Sequence, residues 1–222
     1  MWKLRLHRLA YSRRVAGTAL QACWRKPLPS TGSDWHQVSF LVADAEMSSL
    51  DVSDGELLSV GWVVVERGAI LLESARHYLV RAERSVGQSA TIHNLRDCEF
   101  DGAAAPAQVL ALFLEAAAGR VLVFHNASLD MAFLNRVSRE AFDAPVLLPA
   151  VDTMMLEQAQ LRRREQPIRS GDLRLQACRD RYNLPAYPAH NALMDALATA
   201  ELLLAQAGHR GRGKSYSVGQ LL

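Results

Sequence analysis

The stretch Val38 to Glu46, reading VSFLVADAE, constrains the fold more than any other: an apolar run that ends in two carboxylates one residue apart. A nearly continuous apolar run of this length is what a strand buried on both faces looks like, so it belongs in the middle of a covered sheet. Successive strand side chains leave opposite faces, and Asp44 and Glu46 therefore emerge side by side on one face. Two like charges held that close raise each other's pKa, a penalty relieved when one keeps its proton or a divalent cation lies between them. A D-x-E pair is short and recurs by chance at strand ends, so the other ligands have to come from elsewhere in the chain.

The rest of the chain supplies a scaffold. Residues 56–65 and 70–80 are rich in β-branched side chains and are separated by Glu66-Arg67-Gly68-Ala69, which predicts an antiparallel meander with the central strand. The period then changes. Residues 106–118 begin with proline, are built from strong helix formers and stop at Gly119, and residues 120–124 follow as a short buried strand. Helices are predicted over 128–142, from Thr153 to about Leu161 with Asp152 as N-cap, from Leu173 to about Tyr182 and from Leu193 to about Gln206, with a last strand over 146–151. The expected architecture is α/β: a mixed five-stranded sheet, part antiparallel meander and part parallel, with helices on both faces.

Charge divides the chain. Lys3, Arg5, Arg8, Arg13, Arg14, Arg25 and Lys26 all precede the first acid, Asp34; without them 18 basic residues face 23 acidic ones, a net charge of −5. An acidic body with a basic arm confines any polyanion binding to local patches. The expected division is a basic arm and linker over residues 1–36, a globular domain over 37–207 and a polar basic tail over 208–222. Cys23, Cys98 and Cys178 are odd in number and far apart, which argues against a disulfide framework and a clustered zinc site. No apolar run approaches the roughly 20 residues that span a bilayer, so a cytoplasmic protein without membrane association is expected. Glycine-loop signatures for nucleotide cofactors are absent.

Two hexapeptides carry the chemistry: His125-Asn126-Ala127-Ser128-Leu129-Asp130 and His190-Asn191-Ala192-Leu193-Met194-Asp195, both H-N-A-x-x-D. Each places an aspartate in the opening turns of a helix, where the positive helix end favours an anion. With Asp44 and Glu46 this makes four carboxylates, which are expected to converge at one edge of the sheet. His125 reads most simply as a hydrogen-bonded residue at a strand end, although by motif alone it equals His190 as a candidate base.

These residues, in this order, resemble the DEDDh 3′–5′ exonucleases, the family of the epsilon proofreading subunit of bacterial DNA polymerase III, with a ribonuclease H-like fold. The resemblance runs from about Phe40 to Ala207 and includes Thr91-Ile92-His93-Asn94-Leu95, similar to the family's I-H-G-I segment, and Val151-Asp152-Thr153. It implies that Asp44, Glu46, Asp130 and Asp195 hold two Mg²⁺ or Mn²⁺ ions, and that His190 rather than His125 is the general base. Ala45, Met47, His93 and Asn126 are the substrate-contact residues it suggests. The implied reaction is release of nucleoside monophosphates from single-stranded or frayed DNA 3′ ends, with a polymerase or other replication or repair partner. The alternatives are an RNA-directed member of the family and a nucleic-acid-binding module of the same fold with weakened turnover. One departure stands out: the family's E-T-T-G is here Glu46-Met47-Ser48-Ser49, which removes a threonine hydroxyl and a glycine's backbone freedom near the 3′ end.

Overall fold

A computed structural model describes residues 2–81, 102–188, 190–211 and 216–222. The predicted Thr91–Leu95 segment, with His93, lies outside the described residues. Five strands, β1 (Phe40–Met47), β2 (Leu57–Glu66), β3 (Ala69–Leu79), β4 (Val121–Phe124) and β5 (Ala150–Asp152), form one sheet in the order β3-β2-β1-β4-β5. The chain that reads as central is central: β1 pairs antiparallel with β2 and parallel with β4.

Strand alternation sorts β1 between two layers. Leu41, Ala43, Ala45 and Met47 pack with α2 (Ala19–Arg25), α3 (Pro106–Ala117) and α4 (Ala127–Phe142), contributing Leu20, Phe113 and Phe133 among others. Phe40 and Val42 face the other way, toward α5 (Thr153–Arg163) and α7 (Ala192–Gly211), where Leu156, Ala200 and Leu203 cover them. Asp44 and Glu46 continue this second set of alternate positions, beyond the apolar part of the face. The sheet is thus covered on both sides, and the acids stand where β1 outruns its parallel neighbour: β4 pairs with β1 only as far as Val42.

Two predicted elements are shorter than expected, for reasons of hydrogen bonding. The strand expected over 146–151 begins at Ala150, because Val146 and Leu147 are engaged elsewhere: the Val146 amide donates to Asn135 Oδ1 (2.8 Å), its carbonyl accepts from Trp24 Nε1 (2.7 Å), and Leu147 adopts a left-handed φ of 48°. The helix expected from Leu173 is α6, Leu175–Asp180, since the Leu173 carbonyl is taken by His125 Nε2 at 2.8 Å. By contrast α7 runs on to Gly211.

The chain's ends are packed on this unit. From α1 (Trp2–Tyr11), Arg8 donates through Nε and Nη2 to the Leu147 carbonyl at 3.0 and 2.9 Å, and α2 buries Leu20 and Cys23. At the other end Val218 and Leu221 are buried, and the Gly219 amide donates to the Thr31 carbonyl at 2.7 Å. Among the described residues, no helix is long and apolar enough to cross a membrane.

Candidate active site

Asp44, Glu46 and Asp195 each turn a carboxylate oxygen toward one point, these atoms lying within 4.8 Å of one another. The first two share a face of β1; the third arrives from the opening turn of α7. What lets α7 come so close is Gly61 of β2, the residue paired with Asp44 across the sheet. A Cβ at Gly61 would stand 2.3 Å from Leu193 N and 2.4 Å from the carbonyl carbon of Ala192, well inside contact distance. The bare glycine is therefore the floor on which the helix start rests, and that seat sets Asp195 against Asp44.

The turn before α7 is fixed by short bonds. The Asp195 amide donates to the Asn191 carbonyl (2.9 Å), its Oδ2 accepts the His190 amide (2.9 Å), and Asn191 Oδ1 accepts the Met194 amide (3.1 Å). His190 adopts a left-handed φ of 67° and is exposed, lining the same cleft as the acids. Asp130 enters from the opposite layer: in the first turn of α4, its Oδ1 accepts the Ala45 amide at 3.1 Å, beyond the end of β4. The four acids thus come from three segments and both helical layers.

Their electrostatics follow from burial. Asp44 is held well above the usual carboxylate range, first by burial and then by the charges of Asp130, Glu46 and Asp195. Burial likewise pushes Asp130 up to about 8, with Asp152 and Glu46 adding to it and the Ala45 amide opposing. Asp195 is raised by burial and by Glu46, against the His190 amide. Without a cation, ionising the cluster is costly and its carboxyls hold protons to higher pH than free ones do; a divalent ion removes that cost. The cleft above it, about 460 Å³, is lined by Ala45, Met47, Ser48, Ser49, Leu50 and Leu129 besides Asp44, Glu46, Asp195 and His190.

The other predicted residues are placed as follows. Ala45 and Met47 line the cleft. Asn126 precedes α4 in a left-handed conformation (φ 78°), accepts the Ser128 hydroxyl through Oδ1 at 3.0 Å, and is not among the cleft residues. His125 is tied at both ring nitrogens: Nε2–H donates to the Leu173 carbonyl, and Nδ1 lies 2.8 Å from the Thr153 hydroxyl. Burial lowers its pKa, which suits a structural imidazole at a strand end. In the cleft wall, Ser48 is committed locally, its amide donating to the Glu56 carbonyl at 2.9 Å and its Oγ accepting the Glu56 amide at 2.8 Å.

Two contributors escaped the sequence reading. One is Gly61, a single glycine inside a strand pattern; such a residue signals a close backbone approach, though not of what. The other is the double duty of Asp152. Its carboxylate caps α5, with Oδ1 accepting the Met154 and Met155 amides at 2.9 and 3.3 Å, and also accepts the amides of Asn126 (3.1 Å) and Ala127 (2.9 Å) at the start of α4. One aspartate therefore holds the two helix starts together and steadies the turn that presents Asp130. Asp152→Ala is expected to cost about 1–3 kcal/mol of stability, read by urea unfolding, because it strands several backbone donors at once. An unchanged unfolding midpoint would contradict this bracing role.

Comparison with known proteins agrees with this geometry. An exonuclease family model, RNase_T, matches residues 41–203. A PolC-type DNA polymerase III of Thermotoga petrophila is 26% identical over 176 residues, covering 79% of this chain and 12% of the relative. The DNA polymerase III subunit epsilon of Treponema pallidum is 24% identical, covering 83% of this chain and 86% of the relative. Among solved structures, product-bound exonuclease I superposes with a TM-score of 0.67 at 12% identity, covering 79% of this chain and 45% of that one. Cell-death related nuclease 4 superposes at 0.64 and 14%, covering 79% and 64%. The matched span exceeds half of the chain and carries the acids brought together above: the protein belongs to the RNase_T exonuclease family.

Proposed function

We propose that the protein is a divalent-metal-dependent 3′–5′ exonuclease that releases nucleoside monophosphates from single-stranded or frayed DNA ends. The observation that carries this reading is the convergence of Asp44, Glu46 and Asp195 oxygens within 4.8 Å, with Asp130 bonded to the intervening Ala45 amide. The donor set fits hard cations: it is all oxygen, anionic and without sulfur, as Mg²⁺ or Mn²⁺ requires. Asp44, Glu46, Asp130 and Asp195 would hold two such ions, which when bound supply Lewis-acid stabilisation of charge on the transferring phosphoryl group.

The chain's own residues supply the remainder. His190, exposed in the cleft, takes the proton of the attacking water at a ring nitrogen, as an imidazole can near neutral pH. The His190 amide bond to Asp195 Oδ2 fixes the backbone that carries this ring. Met47, Leu50 and Leu129 form an apolar wall for the terminal nucleotide, and Glu46 lies buried at the floor of the cleft. The polymerase III names of the relatives support a replication or repair partner, and solved exonuclease I complexes contain dT13 oligonucleotides, which supports single-stranded DNA as substrate.

Incubation with 5′-labelled single-stranded DNA and RNA, in Mg²⁺, Mn²⁺ or chelator, is expected to release mononucleotides from DNA in a metal-dependent way. Preferential release from RNA would reassign the substrate, and binding without release in any metal would leave a binding module. His190→Ala is expected to lower kcat by about 10²–10⁴-fold while Mn²⁺ still binds in calorimetry. Wild-type hydrolysis by that variant would move the base elsewhere.

A further inference from the structure

A second cleft, about 390 Å³, lies at the far ends of the two helices that cover the acids' face of the sheet. It is lined by Gln160, Arg163 and Arg164 from the end of α5 and the residue after it, by His209 and Arg210 from the end of α7, and by Tyr216. Cations near helix C-termini are ordinary, because they offset the negative helix end. This group exceeds that need. Its lining has no carboxylate, and among the described residues none of Arg163, Arg164 and Arg210 forms an ion pair. Arg164 instead donates from Nη2 to His209 Nε2 (3.2 Å), Arg210 donates from Nη2 to the Leu156 carbonyl, and Arg210 Nε is buried with no hydrogen-bond partner. The nearby buried acid, Glu157, accepts at Oε2 from Tyr182 and Gln206 and pairs at Oε1 with Arg181 at 3.6 Å, without a hydrogen bond there.

We infer that this cleft is a second contact for the phosphate backbone of a polynucleotide, remote from the acids, an inference that rests on the nuclease reading above. Guanidiniums without acidic partners, beside an aromatic ring, are the elements that hold single strands through phosphates and bases. Fifteen residues of α7 separate Asp195 from Arg210, which puts the cleft about 22 Å from the acid cluster. A strand whose 3′ end occupies the first site reaches the second only if it is several nucleotides long. The cleft therefore discriminates by length and not by sequence.

The test uses the full chain in chelator, so that binding is read without turnover, with 5′-labelled oligonucleotides of about 4 and about 16 nucleotides. Arg163→Gln with Arg164→Gln removes two exposed charges; Arg25→Gln with Arg139→Gln removes two exposed charges on other faces. The cleft pair is expected to weaken binding of the long oligonucleotide about tenfold and to lower its log–log salt slope by about 1.4, at roughly 0.7 per phosphate contact. Binding of the short one, and Mn²⁺-dependent hydrolysis of it, stay within twofold, and the control pair leaves both lengths near wild type. Equal loss at both lengths, or equal loss from the control pair, overturns the inference by reducing it to net charge. Saturation of the cleft by inorganic phosphate alone, with oligonucleotide affinity unmoved by the substitutions, makes it a small-anion site and also overturns it. Wild-type chain that neither binds nor hydrolyses either length fails at the nuclease reading itself, whereas hydrolysis with unaltered length dependence fails only here.

Discussion

Gly61→Ala, a change of one methyl group on a residue that touches no substrate, is expected to lower kcat/KM about 100-fold and to weaken Mn²⁺ binding with it. The added Cβ would fall 2.3–2.5 Å from the Ala192 carbonyl carbon and from Leu193 N and Cα. These are backbone atoms, so no rotamer change relieves the clash, and the start of α7 has to rise from the sheet by on the order of 1 Å, a misplacement that can cost about 10²-fold. Asp195 and His190 sit on that start, bonded to each other, and move together away from Asp44, which stays with β1. Overpacking of this kind costs about 1–3 kcal/mol of stability, so the variant is expected to remain folded with a lowered Tm. Ser59→Ala, on the same strand and face but adding no atoms, is the control. A Gly61→Ala variant with wild-type rates and Mn²⁺ affinity would mean that the helix is not seated on β2 as described.

Gly61 also marks where the sequence stops being legible. The chemistry-bearing side chains can be read in advance because each follows an apolar segment whose period declares its element. The run into Asp44 and Glu46 marks a buried strand, and Asp130 and Asp195 fall at the starts of helical patterns. What sequence does not reveal is which backbone atoms meet. Gly61, Asp152 and the Ala45 amide act through main-chain contacts with residues from 25 to 132 positions away, and no periodicity encodes such partners. The same blindness explains the two shortened elements, since residues 146–147 look like strand and Leu173 like helix until side chains from Asn135, Trp24 and His125 claim their backbone groups. His125 is the instructive contrast to His190: the two hexapeptides are alike, and only burial and hydrogen bonding make the first a brace while the second lies exposed in the cleft.

Asp44→Asn is expected to move activity and metal-free stability in opposite directions. Hydrolysis should fall at least about 10²–10³-fold, the scale of removing one group that stabilises transition-state charge. In chelator the same change should raise Tm, because it removes a buried charge crowded by Asp130, Glu46 and Asp195. The pH dependence gives the sign. Asp44, Asp130 and Asp195 have folded pKa values above their unfolded ones, so the unfolded chain ionises first as pH rises. Unfolding then releases protons, and metal-free stability falls from about pH 4, the unfolded carboxylate value, until the folded groups have also ionised. For Asp130 that upper limit is about 8. The Tm gap between Asp44→Asn and wild type in chelator should therefore be near zero at about pH 4 and widen as the pH rises and Asp44 ionises in the folded wild type. Saturating Mn²⁺ should reverse it, since the ion binds the ionised acids of the folded wild type and stabilises that state by mass action. If instead the wild-type Tm in chelator tracked that of Asp44→Asn across this range, the four acids would not be repelling one another within one shared cluster.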